Sequence, residues 1–133
     1  METSADLTLG KEERICGKKP LDTLFNGEGS RSMSAYPLRM VYRVVARQDG
    51  SPQARILVSV PKRLLKHAVD RNRVKRQVRE AYRLNKHLVL RALASRPEDA
   101  VDMAFVWLGN GLFTSRKVSA RVTSLLQRVS EKL

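Results

Sequence analysis

The sequence predicts an α+β fold: a single α/β sandwich, one sheet with helices packed on it, in the order αβββαβα. Three observations carry this expectation. Segments 38–47 and 55–61 are rich in β-branched residues, the composition of strands. Val101–Leu108 is a nearly continuous apolar run, as expected of a strand covered on both faces. Two later segments, from Arg71 to about Ala94 and from Thr114 onward, space their apolar residues at helical period.

In chain order, residues 1–8 are small and polar and expected to fray, which leaves 9–133 as one domain. Leu21, Leu24 and Phe25 stand at i, i+3, i+4 and predict an opening helix. Pro20 suits its first turn, and Gly27 and Gly29 suit its end. Ser30–Ser34 reads as a weak edge strand. Leu38–Arg47 and Arg55–Pro61 follow as stronger strands, separated by the turn signal Asp49-Gly50-Ser51-Pro52. They read as an antiparallel hairpin. From Arg71 to about Ala94 a long helix places Val74, Val78, Ala81, Asn85 and Leu88 on one side, and Arg96-Pro97 stops it. After strand 101–108, Gly109-Asn110-Gly111 forms a tight loop. Thr114 or Ser115 caps a last helix whose buried stripe is Val118, Val122, Leu125, Leu126 and Val129. A helix that links two strands of one sheet makes a crossover, right-handed by default.

Charge points to the partner. The 133 residues hold 26 Lys+Arg against 13 Asp+Glu, a formal net charge of +13. So much like charge in a small body is best explained by a polyanionic partner, nucleic acid first. The lone Cys16 cannot close an intrachain disulfide and reads as a small apolar residue in a reducing, cytoplasmic compartment. No Cys/His grouping suggests zinc. The segment Met1–Glu13 is polar, unlike a secretory signal, and no apolar run approaches the roughly 20 residues of a membrane span.

The basic residues concentrate. Between Lys62 and Arg91 there are 11 Lys and Arg, opposed only by Asp70 and Glu80. On a helix Arg71, Lys75, Arg79 and Arg83 form a ridge that winds by about 40° per step. Arg76 and Lys86 fall in the same arc, away from Val74, Val78 and Ala81. Guanidinium groups in a row match successive phosphates bidentately. Like charges at i, i+4 destabilise an isolated helix, so an anionic partner or a firm tertiary anchor must offset them.

Arg71-Asn72-Arg73 followed by Lys75-Arg76 and Arg79, preceded by RILVSVPK and Ala68, resembles the RNR signature of the bacterial ribonuclease P protein family. The resemblance extends in order and spacing over about residues 9–130. It implies a fold like the second domain of ribosomal protein S5, with the RNR helix in an unusual left-handed βαβ crossover in place of the default. It also implies that Arg71, Asn72, Arg73, Lys75, Arg76, Arg79 and Arg83 meet the catalytic RNA subunit. A cleft holding Leu21, Phe25, Arg39, Tyr42 and Lys62 would take the 5′ leader of precursor tRNA. The RNA, with its Mg²⁺ ions, would carry out the hydrolysis in a cytoplasmic ribonucleoprotein endonuclease. Loop 63–67 lacks the glycine many members have there.

Other residues read as structural. His67 and His87 are expected in solvent, Trp107 in the core, and Asp99 and Asp102 at the surface. Phe25 and Tyr42 fit a plain core as well as they fit the cleft. No nucleophile–base pair and no carboxylate cluster stands at useful spacing, so the protein alone is expected to have no catalytic centre, metal or cofactor. The rival readings are a generic RNA-binding protein, a protein-only nuclease and a DNA-binding repressor.

Overall fold

The computed structural model describes residues 13, 14 and 29–133. The predicted opening helix, which holds Leu21 and Phe25, lies outside the described residues, as does Cys16. Within them the chain runs β1 (Arg31–Ala35), β2 (Leu38–Ala46), β3 (Ala54–Ser59), α1 (Ala68–Asn85), α2 (His87–Ala92), β4 (Asp99–Trp107) and α3 (Ser115–Lys132). This is the predicted α+β order from the edge strand onward.

The four strands stand in the order β1-β2-β4-β3. β1 pairs antiparallel with β2, β2 antiparallel with β4, and β3 parallel with β4. The predicted hairpin of β2 and β3 is therefore corrected. The two run in opposite directions, but β4 lies between them. The reason is burial. In β4 Val101, Met103, Ala104, Phe105 and Trp107 are all nearly inaccessible, and the centre of the sheet covers such a strand on both sides. The connection from β2 to β3 instead passes the start of β4. The Arg47 amide donates to Glu98 O at 2.8 Å and the Val101 amide to Gln53 O at 2.7 Å. The Gln53 side-chain amide sits 3.1 Å from the carbonyls of Leu93, Arg96 and Asp99. Gly50 makes the turn at φ +77°, a conformation costly for a residue with a Cβ.

Strand alternation gives the sheet two different faces. One carries Leu38, Met40 and Tyr42 of β2, Ala54, Ile56 and Val58 of β3, and Val101, Met103, Phe105 and Trp107 of β4. These pack with Val74, Val78, Ala81 and Tyr82 of α1, Val89 of α2, and the five predicted stripe residues of α3. The α3 stripe and its Thr114 cap, whose side chain accepts from the Lys117 amide, match the prediction. The other face carries Arg39, Val41 and Arg43 across from Val106, Ala104 and Asp102 of β4, and these in turn from Ser59, Leu57 and Arg55 of β3.

The predicted single helix 71–94 is two helices, broken at Lys86. The Asn85 side chain donates to Ala81 O at 2.8 Å, which competes with the backbone ladder at the break. The start is three residues earlier than predicted. His67 caps only with its carbonyl, to the amides of Asp70 and Arg71, so no capping side chain marked the boundary.

Tyr82 is fully buried and its hydroxyl has no hydrogen-bond partner among the described residues. Burial, and then the Glu13 carboxylate, push its pKa above the usual phenol range. An unsatisfied buried hydroxyl costs roughly 1–3 kcal/mol. Tyr82→Phe should therefore hold or raise the unfolding free energy measured in urea, by up to about 1 kcal/mol; a loss of about 1 kcal/mol or more would show that the hydroxyl is satisfied.

Candidate nucleic-acid interface

Helix α1 owes its direction to four buried residues, Val74, Val78, Ala81 and Tyr82, which lock it against the sheet and α3. The opposite side is left to charge. Asn72, Arg73, Arg76 and Glu80 are exposed, and Lys75, Arg79 and Arg83 are half-buried along the flank. Asn72, Lys75, Arg76, Arg79, Glu80 and Arg83 line, with Arg14, an open groove of about 520 Å³. Five of the seven predicted RNR residues line this groove together with Arg79's neighbour Glu80; Arg71 and Arg73 do not.

The cations are not equivalent. Among the described residues Arg73, Lys75 and Arg76 make no hydrogen bond or ion pair. Arg83 is bidentate to Glu80 at 2.7 and 2.9 Å. The hydrogen bond from Arg83 holds the Glu80 carboxyl below the ordinary carboxylate range. The pair is solvent-accessible, where such bridges add little stability.

Arg71 begins the predicted ridge but is turned to the protein. Its Nη1 donates to Leu65 O at 2.9 Å and Lys66 O at 2.8 Å. The winding of the ridge explains this: four residues advance about 40°, so the first member lies nearest the buried stripe. Lys86, expected in the basic arc, is a second correction. It is 6% exposed, and its Nζ pairs with the Glu13 carboxylate at 3.0 and 3.1 Å. At the break between α1 and α2 the wheel no longer applies.

The predicted cleft residues divide. Arg39 is exposed on the second sheet face, level with Val106 and Ser59, and the exposed Lys62 follows three residues after Ser59 at the same end of the sheet. Tyr42 is corrected: it is 4% exposed and belongs to the core beneath the helices. Positions 39 and 42 differ by an odd number, so on one strand they face opposite ways. Leu21 and Phe25 lie outside the described residues. Sequence reasoning missed Arg43 and Arg55, which share the face of Arg39 and flank Asp102 in register. Arg55 binds Asp102 through two 3.0 Å hydrogen bonds. Period-two spacing from Arg39 was the available signal for Arg43. Arg14, bridged to Ile56 at the outer edge of β3, had no signal beyond its charge.

Of the remaining residues, His67 and His87 are exposed, Trp107 is fully buried, and Asp99 pairs with Arg96 at 3.5 Å. Among the described residues no three His, Cys, Asp or Glu side chains gather as metal ligands, and no helix is long and apolar enough to cross a membrane.

Comparison with known proteins agrees with this geometry. A family model described as Ribonuclease P matches residues 9–128. The chain is 40% identical over 130 residues to a ribonuclease P protein component of Porphyromonas gingivalis, covering 98% of this chain and 92% of that one. It is 38% identical over 104 residues to the one from Chlorobaculum tepidum, covering 74% and 66%. Among solved structures it resembles the RNase P protein of Staphylococcus aureus (TM-score 0.67, 19% identity, 88% and 94% covered). It also resembles that of Thermotoga maritima (TM-score 0.65, 21% identity, 87% and 96% covered). At these identities the structural likeness speaks for the fold.

Proposed function

The chain belongs to the ribonuclease P protein family, and on that premise we propose how its surface serves the family's work, tRNA 5′ processing together with an RNA subunit. The protein binds the catalytic RNA through α1. The observation that carries this is the groove lined by Asn72, Lys75, Arg76, Arg79 and Arg83, with Lys75 and Arg76 unpaired among the described residues. Unpaired guanidinium and ammonium groups on one helix face neutralise successive phosphates and release counterions. The RNA supplies an anionic partner for Lys75 and Arg76.

The second sheet face serves the other RNA. Arg39 and Lys62, joined by Arg43 and Arg55, attract the 5′ leader of precursor tRNA, with Leu21 and Phe25 of the N-terminal segment as its apolar wall. Mg²⁺ held by the RNA subunit supplies the hydrolysis, and the protein contributes binding and charge. The compartment for this work is the cytoplasm.

Reconstitution tests the assignment. A ribonuclease P RNA should process precursor tRNA at lower Mg²⁺ when this protein is added, because protein cations then share the neutralisation of the two RNAs. An unchanged Mg²⁺ requirement would reject it, as would cleavage by the protein without any RNA subunit.

A further inference from the structure

A second surface beside α1 is built from aromatic side chains. Phe113 is half-buried and meets Trp107 edge-on, with ring centres 5.5 Å apart at 72°. It meets Tyr36 in the same manner at 5.9 Å and 83°. Gly109 lies under this ring: a Cβ there would stand 2.8 Å from Phe113 Cε1, so the absence of a side chain lets the ring rest on the loop. The Tyr36 carbonyl accepts from Arg121 Nε at 2.9 Å. Yet Tyr36 is 55% exposed, with Leu108 and Leu112 also exposed in the chain segment around Gly109. A held aromatic that remains in water suits a partner's flat apolar face.

The surroundings indicate which partner. Lys117 Nζ stands 4.7 Å from the centre of the Phe113 ring. Arg116 and Lys117 are exposed in the first turn of α3, which holds no acidic residue. Aromatic faces among cations fit a nucleotide, whose base stacks and whose phosphate is attracted. The patch also adjoins α1. Gln77 Nε2 donates to Phe113 O at 3.1 Å and Ser115 Oγ at 3.0 Å, and exposed Arg73 stands one turn before Gln77 on the same helix.

We propose that the RNA-docking surface continues from Arg73 across Gln77 to loop 108–114, where Tyr36 stacks on an unpaired base of the catalytic RNA and Lys117 attracts its phosphate. This rests on α1 being the docking helix, since continuity with α1 selects the catalytic RNA over the precursor.

The test is a salt titration of full-length protein binding to the catalytic RNA without precursor, for wild type, Tyr36→Ala, Tyr36→Phe, Lys117→Ala and Arg76→Ala, each first shown to unfold cooperatively. Stacking on one base predicts that Tyr36→Ala binds about 5- to 150-fold more weakly with an unchanged salt slope. Tyr36→Phe should stay within about twofold of wild type, because it keeps the ring. Lys117→Ala should flatten the slope by about one phosphate contact. Wild-type affinity for Tyr36→Ala beside weakened Arg76→Ala overturns the extension and leaves the α1 reading intact. Unchanged affinity in both overturns both. A defect of Tyr36→Ala confined to precursor binding by the assembled holoenzyme also overturns the assignment to the catalytic RNA.

Discussion

Replacing Arg73 and Arg76 together by alanine is expected to weaken binding to the catalytic RNA about 100-fold at low salt. Each exposed guanidinium that meets a phosphate supplies a charge-assisted hydrogen bond of roughly 1.5–3 kcal/mol, and two at the lower end make about 3 kcal/mol, near 100-fold. The same double substitution should reduce the slope of log affinity against log salt by about 1.5–2, from the loss of two phosphate contacts. Neither side chain has a partner among the described residues, so the unfolding midpoint should stay nearly constant. Arg71→Ala provides the contrast. Its guanidinium closes on the carbonyls of Leu65 and Lys66, so its removal should cost about 1–2 kcal/mol of stability and leave the salt slope nearly unchanged. Equal slopes for the double variant and wild type would remove Arg73 and Arg76 from the interface.

Lys86→Met should be the most damaging single substitution to stability among the charged positions. The Lys86 side chain is 7% exposed and its Glu13 partner 17%. Methionine fills the stem volume but removes the Lys86 ammonium from the carboxylate in a poorly solvated site. Breaking one side of a buried pair costs about 3–5 kcal/mol. The Glu13 side chain retains some access to water, which places the expected loss near 3 kcal/mol, or on the order of 10 °C in Tm for a chain of this size. Adding Glu13→Gln removes the carboxylate charge that Lys86 balanced and should recover part of the loss. The pair also brings residue 13 to the junction of α1 and α2, beside the groove that Arg14 lines. A double-mutant cycle by urea denaturation checks this: additive losses would mean that the two residues do not stabilise each other.

Where local period and burial agree, the sequence alone was sufficient. The five apolar residues of α3, spaced at i, i+4, i+7, i+8 and i+11, recur as its buried stripe, and Thr114 caps it as its residue type suggests. The four strands appear within a residue or two of their composition limits. The basic face of α1 was legible for the same reason: Val74 and Val78 assign the buried side, and the cations take what remains. Tyr42 is expected with Arg39 in the cleft, although its odd separation from Arg39 puts it on the opposite face, in the core.

Element types, helix faces, the excess of positive charge and the RNR pattern that marks the family could all be read from the amino-acid order. All of these follow from neighbours a few residues apart. Tertiary structure decided what depends on distant partners. Between β2 and β3 it placed β4, because the most apolar strand gains most at the centre of the sheet. It turned Arg71 to loop carbonyls and Lys86 to Glu13, 73 residues away in the chain, while leaving Arg73, Lys75 and Arg76 facing water. It also gathered Tyr36, Trp107 and Phe113 into one platform beside α1. The sequence specified a positive helix; which of its charges remain for RNA depended on the folded surroundings, because a charge already neutralised by the protein has less to offer a phosphate.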